Sequence, residues 1–194
     1  MGADCIFSIK HRQETSMLQK KTTKEILEEN LSRKVSSGMS SLKIWLHNIR
    51  SLHNTGSVFR SCDAFGAGEI FLSGYTPVPP RPEITKTALG AEEFVRWRYV
   101  ENPIKEIEQL KQNGYTVAGI EQSFNSLLLN QFLPKPEQKL CLILGNEVTG
   151  IDEEILPHLD LCLEIPQFGK KHSLNVSVTA GIVLYHFMKA FEGC

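Results

Sequence analysis

No apolar run in this 194-residue chain approaches the ~20 residues needed to span a bilayer. The N-terminus is polar and lacks an apolar leader core, so the expected location is the cytoplasm. Cysteine is sparse and odd in number: Cys5, Cys62, Cys141, Cys162 and Cys194, without CxxC spacing. That argues against a disulfide framework and against a structural zinc site. Cys141 and Cys162 fall in apolar runs and read as small buried residues. The six histidines have no ligand spacing, so no metal is expected. The phosphate-cradling strings GxGxxG, GxxxxGKS and GxxxxGKT are missing. Net charge is −1, which does not advertise a nucleic-acid binder. Its distribution is uneven, however. Residues 1–50 carry nine Lys and Arg against five Asp and Glu, and the remainder twelve against seventeen. A basic arm on a mildly acidic body suits phosphate contact, and a solvated helix surface accounts for it equally well.

What is present is alternation of strand and helix. Residues 1–12 show no clear periodicity. Thr15 to Val35 reads as a helix with a sparse apolar face of Met17, Ile26, Leu27 and Leu31. Ser36 to Ser41 reads as a linker, which divides the chain into an N-terminal basic arm, 1–41, and a body, 42–194. In the body, Leu42–Leu46 is a strand. A helix capped by Asn54 or Thr55 runs to Phe65 and stops at Gly66. Glu69–Leu72 is a strand, followed by a proline-rich loop with a helical turn near Ile84–Leu89. Asn102-Pro103 opens a helix that Gly114 ends, and Tyr115–Ile120 is a strand. A short helix is expected near Leu127. The order implies an α/β fold with a mainly parallel sheet and flanking helices.

The densest stretch is 140–185. Leu140–Leu144 is a continuous apolar run, as in a strand covered on both faces. Gly145 and Gly150 then bracket Asn146, Glu147 and Thr149. Leu161–Ile165 is a second strand, ended by Pro166. A loop with Gly169, Lys170, Lys171 and His172 leads to a helix from Val176 that is apolar on almost every side, and so reads as buried. Ser173 or Asn175 can cap it. Two loops thus meet at the carboxyl ends of two strands, where open α/β sheets bind ligands.

GNEVTG resembles the second motif of the SpoU class of RNA ribose methyltransferases, within the SPOUT superfamily. IPQFGKKHSLNVSVTAGIVLYHF is similar to the third. HNTGSVFR matches the first, an Asn with an Arg six residues later, as Asn54 and Arg60. The resemblance covers roughly Leu42 to Phe187. It implies a C-terminal deep trefoil knot, S-adenosylmethionine as methyl donor, a homodimer, and methyl transfer to a ribose 2′-hydroxyl. It also implies roles for individual residues. Arg60, Asn54, Glu147, Ser173 and Asn175 would be catalytic, and Gly145, Ile165, Leu174, Ile120 and Glu121 would bind the donor. The larger N-terminal RNA-binding domain of many ribosomal-RNA members is not seen, which favours tRNA over rRNA as substrate.

Each residue also has a plainer reading. Arg60 could pair with Asp63 or Glu69 on the surface, or clamp the phosphate beside the target ribose. A general-base role for it is chemically awkward, because a guanidinium scarcely deprotonates. Asn54 could be only a helix cap. Glu147 could be a loop acid, or could brace Arg60. His53 and His172 read as solvated loop histidines. Lys170, Lys171, Arg81, Arg96 and Arg98 could touch phosphate, and Trp97 and Tyr99 could stack on a base. Alternation at Phe94, Arg96 and Arg98 fits a plain exposed strand as well. Two other functions compete: a non-enzymatic RNA-binding or assembly protein, and a nucleotide enzyme with phosphate at the Gly145 loop.

Overall fold

A computed structural model of the chain describes residues 18–192. In chain order the strands are β1 (Lys43–His47), β2 (Glu69–Ser73), β3 (Trp97–Val100), β4 (Tyr115–Ile120), β5 (Leu127–Leu128), β6 (Lys139–Leu144) and β7 (Leu161–Glu164). The helices are α1 (Thr23–Ser32), α2 (Ser37–Ser41), α3 (Leu52–Phe65), α4 (Pro82–Ala88), α5 (Ala91–Phe94), α6 (Pro103–Gln112) and α7 (Val176–Glu192). The strands form one sheet in the order β3-β2-β1-β6-β4-β7-β5, every pair parallel.

Period-two alternation sorts the strand residues between two cores. Ile44, Leu46, Ile70, Leu72, Leu140, Leu142 and Leu144 face α3, α4 and α7. Trp45, Phe71, Val117, Cys141 and Ile143 face the other way, with Ile107 and Leu110 of α6. Both faces are covered, so the strands read as unbroken apolar runs. Strand order reverses between β1 and β6. The loops leaving those two strands meet at the carboxyl edge of the sheet, where open α/β sheets form a ligand crevice, and hydrogen bonds join them.

Several expectations shift. Ser51, not Asn54 or Thr55, caps α3: its Oγ accepts from the Asn54 amide at 3.2 Å. Gly66 ends the helix in the left-handed region, at φ 73°. The 36–41 segment is no linker: it folds as α2, with Met39 buried and Gly38 against Phe191. The N-terminal helix is shorter than expected. Thr22 and Glu25 form a capping box that starts it at Thr23, and no α1 residue is buried. Thr15, Met17 and residues 1–12 lie outside the described residues, as do Cys5 and Cys194. The region near Leu127 is a two-residue strand followed by a 3-10 turn. Phe94 ends α5 and does not belong to a strand. Cys141 is buried as expected, but Cys162 is only half-buried. α7 is not buried all round. Val176, Ala180, Val183, Leu184 and Phe187 face the core, while Val178, Ile182 and Tyr185 are exposed.

Candidate active site

The crevice is built from the loop that leaves β6. Asn146 and Gly150 pair through two backbone hydrogen bonds of 2.9 and 3.0 Å and close the loop on itself. That closure requires glycine at both ends. A Cβ on Gly145 would lie 2.3 Å from the Gly150 carbonyl carbon. Gly150 has φ 74°, and a Cβ there would meet the Glu121 carboxylate at 2.2 Å. The same carboxylate accepts from the Ile151 amide at 3.0 Å, tying the end of β4 to the loop.

Asn146 organises the interior. Its Oδ1 accepts from the amides of Val148 and Thr149 at 2.8 and 3.0 Å. Its Nδ2 donates to the Asn48 carbonyl at 2.8 Å and to the Tyr75 hydroxyl at 2.7 Å. Below it, the Trp45 indole donates to Ser73 Oγ at 2.7 Å, and Ser73 Oγ lies 2.6 Å from His47 Nδ1. His47 Nε2 lies 3.0 Å from Asp152 Oδ2 and 3.1 Å from Asn48 Nδ2, and that amide also donates to Asp152 Oδ2 at 2.8 Å.

Glu147 reaches across the crevice to the start of α3. Its carboxylate accepts from the amides of Arg50 and Ser51 at 3.0 and 3.2 Å, and from Asn54 Nδ2 at 3.0 Å. Burial pushes the Glu147 carboxyl up, but the bonds from Arg50, Asn54 and Ser51 outweigh it and hold the group below the ordinary glutamate range. Asn54 Oδ1 in turn accepts from Asn175 Nδ2 at 3.1 Å. Asn175 caps α7, its Oδ1 accepting from the Ser177 amide at 2.9 Å. The three sequence motifs are thus joined by one chain of hydrogen bonds, from Glu147 through Asn54 to Asn175.

Beside this chain lies a cavity of about 310 Å³, at the carboxyl ends of β4, β6 and β7. Gly145, Ile165, Leu174, Ile120 and Glu121 all line it, with Glu147 and Ser173. Asn54 and Asn175 sit in the adjoining network. Arg60 is exposed on α3, and among the described residues it makes no hydrogen bond or ion pair. The expected bracing of Arg60 by Glu147 is therefore absent, because the carboxylate is spent on the α3 N-terminus. Nor does Arg60 pair with Glu69, which is held by Lys43 and Arg98. Arg98 also pairs with Glu106 and lies over the Phe71 ring, so it is a structural residue.

Sequence reasoning passed over Asn146 as a mere member of GNEVTG, and passed over Gln122, whose side chain donates to the His172 carbonyl at 2.8 Å. His172 lines the cavity edge. Three carboxylates (Glu121, Glu147 and Glu164) line the cavity, and among the described residues no Lys or Arg does. Its walls are apolar at Ile120, Leu144, Leu163, Ile165, Leu174 and Val176. Such a site favours a ligand that is cationic and partly apolar over one bearing phosphate.

The model of the SpoU rRNA Methylase family matches residues 41–185. The mouse tRNA (guanosine(18)-2′-O)-methyltransferase TARBP1 is 31% identical over 163 residues, which are 83% of this chain and 10% of that protein. The tRNA (guanosine(18)-2′-O)-methyltransferase of Aquifex aeolicus is 28% identical over 172 residues, 86% of this chain and 79% of that one. The chain spans 62% of the length of relatives in Staphylococcus aureus. Among solved structures, the A. aeolicus TrmH/SpoU tRNA modifying enzyme superposes with a TM-score of 0.72 at 25% identity, over 87% of this chain and 85% of that chain.

Proposed function

The chain belongs to the SpoU rRNA Methylase family, and from that premise we propose that it transfers a methyl group to a ribose 2′-hydroxyl of RNA. One observation carries the reading: a cavity with apolar walls that three carboxylates and, among the described residues, no Lys or Arg line, beside a self-closed glycine loop. S-adenosylmethionine fits that chemistry, and Gly145, Ile165, Leu174, Ile120 and Glu121 would hold it. When bound, it supplies an electrophilic methyl carbon and leaves as a neutral thioether. Its positive sulfonium gains from the carboxylates lining the cavity, whereas a nucleotide phosphate would be repelled.

The protein's part is positioning. Glu147, Asn54 and Asn175 hold the β6 loop, the α3 start and the α7 start in one arrangement, so that cavity and acceptor stay in register. Ser173 sits on the cavity wall within reach of the donor. Arg60, unpaired, takes the phosphate beside the target ribose and aims the 2′-oxygen at the methyl carbon. The hydroxyl proton passes to water or that phosphate, not to the guanidinium.

The substrate we favour is tRNA, because the mouse and Aquifex relatives are both named for tRNA. The division at residue 41 is moved back to Ser36 in this reading, because α2 packs into the core with Met39 and against Phe191, so the methyltransferase body includes α2. A trefoil knot is supported by the strand order, in which β6 inserts between β1 and β4 and β7 between β4 and β5. A homodimer is supported by the uncovered apolar face of α7 at Val178, Ile182 and Tyr185. The cytoplasm is where the RNA would be met.

The test is methyl transfer from isotope-labelled S-adenosylmethionine to unmodified total RNA, fractionated, digested and read by mass spectrometry. Label in a 2′-O-methylnucleoside of the tRNA fraction is the expected result. Label on a base overturns the acceptor chemistry. Absence of both label and donor binding returns the protein to a non-enzymatic RNA-binding role.

A further inference from the structure

A second concave surface lies on the same edge of the sheet, where the segment between β2 and α4 meets the edge strand β3. Tyr75, Pro77, Pro80, Arg81, Trp97 and Tyr99 are among its lining residues, and it encloses about 690 Å³. It is apolar and aromatic, yet Tyr75 is 59% exposed and Tyr99 39%. Solvent-facing rings of this kind normally fold back on a core unless something holds them out. Here both are held by their hydroxyls. Tyr99 donates to the Gly74 carbonyl at 2.6 Å, and Tyr75 accepts from Asn146. Exposure therefore falls on the ring carbons.

The loop beneath is fixed too. Buried Thr76 donates to the Leu46 carbonyl at 3.1 Å and accepts from the Ile49 amide at 3.0 Å. Trp97 packs edge-on against Phe59, 6.5 Å between centroids. At the rim, Arg81 is exposed and makes no hydrogen bond or ion pair with its side chain among the described residues. Among the described residues, no acidic side chain lines the groove.

We propose that this groove binds an unpaired nucleobase of the substrate RNA, stacked on Tyr99 and Tyr75, with the adjoining phosphate on Arg81. The proposal rests on the methyltransferase reading for its RNA, but its geometry is independent of the donor cavity. Preset aromatic faces beside a free guanidinium are what single-stranded RNA recognition uses, because every base has a π face and every linkage a charge. An aromatic groove also suits a proline-rich peptide. The free cation and the absence of any acidic lining favour a polyanion. The bond from Tyr75 to Asn146 adds continuity with the methyl-transfer site, since Asn146 shapes the loop that walls the donor cavity.

The test uses the full chain and a fluorescent, unstructured RNA oligonucleotide of mixed sequence. Tyr99→Leu, which keeps bulk but removes the π face, is expected to weaken binding about tenfold. Tyr99→Phe, which keeps the ring but loses the hydroxyl bond to the Gly74 carbonyl, should bind more weakly than wild type and more tightly than Tyr99→Leu. Arg81→Gln should lower the slope of log affinity against log salt by about one. Titration with S-adenosylmethionine should give the same affinity in all three variants. Equal weakening by Tyr99→Phe and Tyr99→Leu would overturn the stacking role, as would wild-type binding by Tyr99→Leu. Preferential binding of a polyproline peptide at the groove would assign it to a protein partner instead. RNA binding that depends on Tyr99 in a protein that neither binds the donor nor transfers methyl would keep the groove and discard the methyltransferase reading.

Discussion

Glu147 and Arg60 are both charged, both lie in motifs that resemble those of the SpoU class, and they are placed in opposite ways. Glu147 is half-buried and accepts three hydrogen bonds from the α3 start. Arg60 lies two turns further along that helix, exposed and without a partner. A charge whose hydrogen-bonding capacity is used up by its own chain is a brace. A charge left open on a rigid helix is available to a substrate. On the proposed reading, the difference separates the task of holding the site's shape from the task of meeting RNA.

The sharpest test of that contrast is Arg60→Ala. Methyl transfer should fall at least ~100-fold, as expected when an acceptor loses its alignment, while donor affinity and thermal stability stay at wild-type values. A drop in donor affinity or in melting temperature would erase the distinction. Gly145→Ala acts on the braced side. Its Cβ would need to displace the Gly150 backbone, 2.3 Å away. We expect at least a tenfold loss of donor affinity by calorimetry, with about 1–3 kcal/mol of stability lost to overpacking.

Glu147→Gln should cost about 1 kcal/mol in urea unfolding, because a carboxamide replaces the charged acceptor of the α3 start. The pH dependence has a definite sign. The folded carboxyl titrates below its ordinary value of 4.5, so its contribution is full above that pH and is lost as pH falls through the folded value. The gap between wild type and Glu147→Gln should therefore be largest at neutral pH and close in acid. A gap that widened in acid would mean the folded carboxyl is protonated more easily than the unfolded one.

The smallest effect is expected in the arm. Lys21 pairs with Glu29 and Lys24 with Glu28 within and around α1, so much of the arm's positive charge is already met. Replacing Lys20, Lys21 and Lys24 by Ala should weaken RNA binding only a few-fold and flatten its salt dependence by less than three phosphate contacts would. An unchanged salt slope would make α1 a solvated surface.

Much of this arrangement was legible in the chain. The apolar runs at 140–144 and 161–165, the helix stop at Gly66 and the Asn102-Pro103 start all appear where local chemistry placed them. The residues that the family resemblance assigned to the donor all line the cavity, beside the turn that the glycine-bracketed loop and the strand-end proline mark. The pairings were not legible. Asn54 looked like a helix cap, but Ser51 takes that work and frees Asn54 for Glu147 and Asn175. Those partners lie 93 and 121 positions away. Neither spacing nor composition encodes such a contact. The cluster of Trp45, Ser73, His47 and Asp152 escaped notice for the same reason: its members come from β1, β2 and the loop after β6.

What the sequence determined by itself was local: which segments extend, which coil, where glycine and proline force a turn, and which acids and amides sit in the turns. These follow from steric and hydrogen-bonding preferences that act over a few residues. Only the tertiary structure decided which partners those side chains meet. Placing β6 beside β1 brings Glu147 to the α3 start and leaves Arg60 facing solvent. Hydrogen bonds are short-ranged and directional, so the role of each group depends on what the sheet order sets within about 3 Å of it.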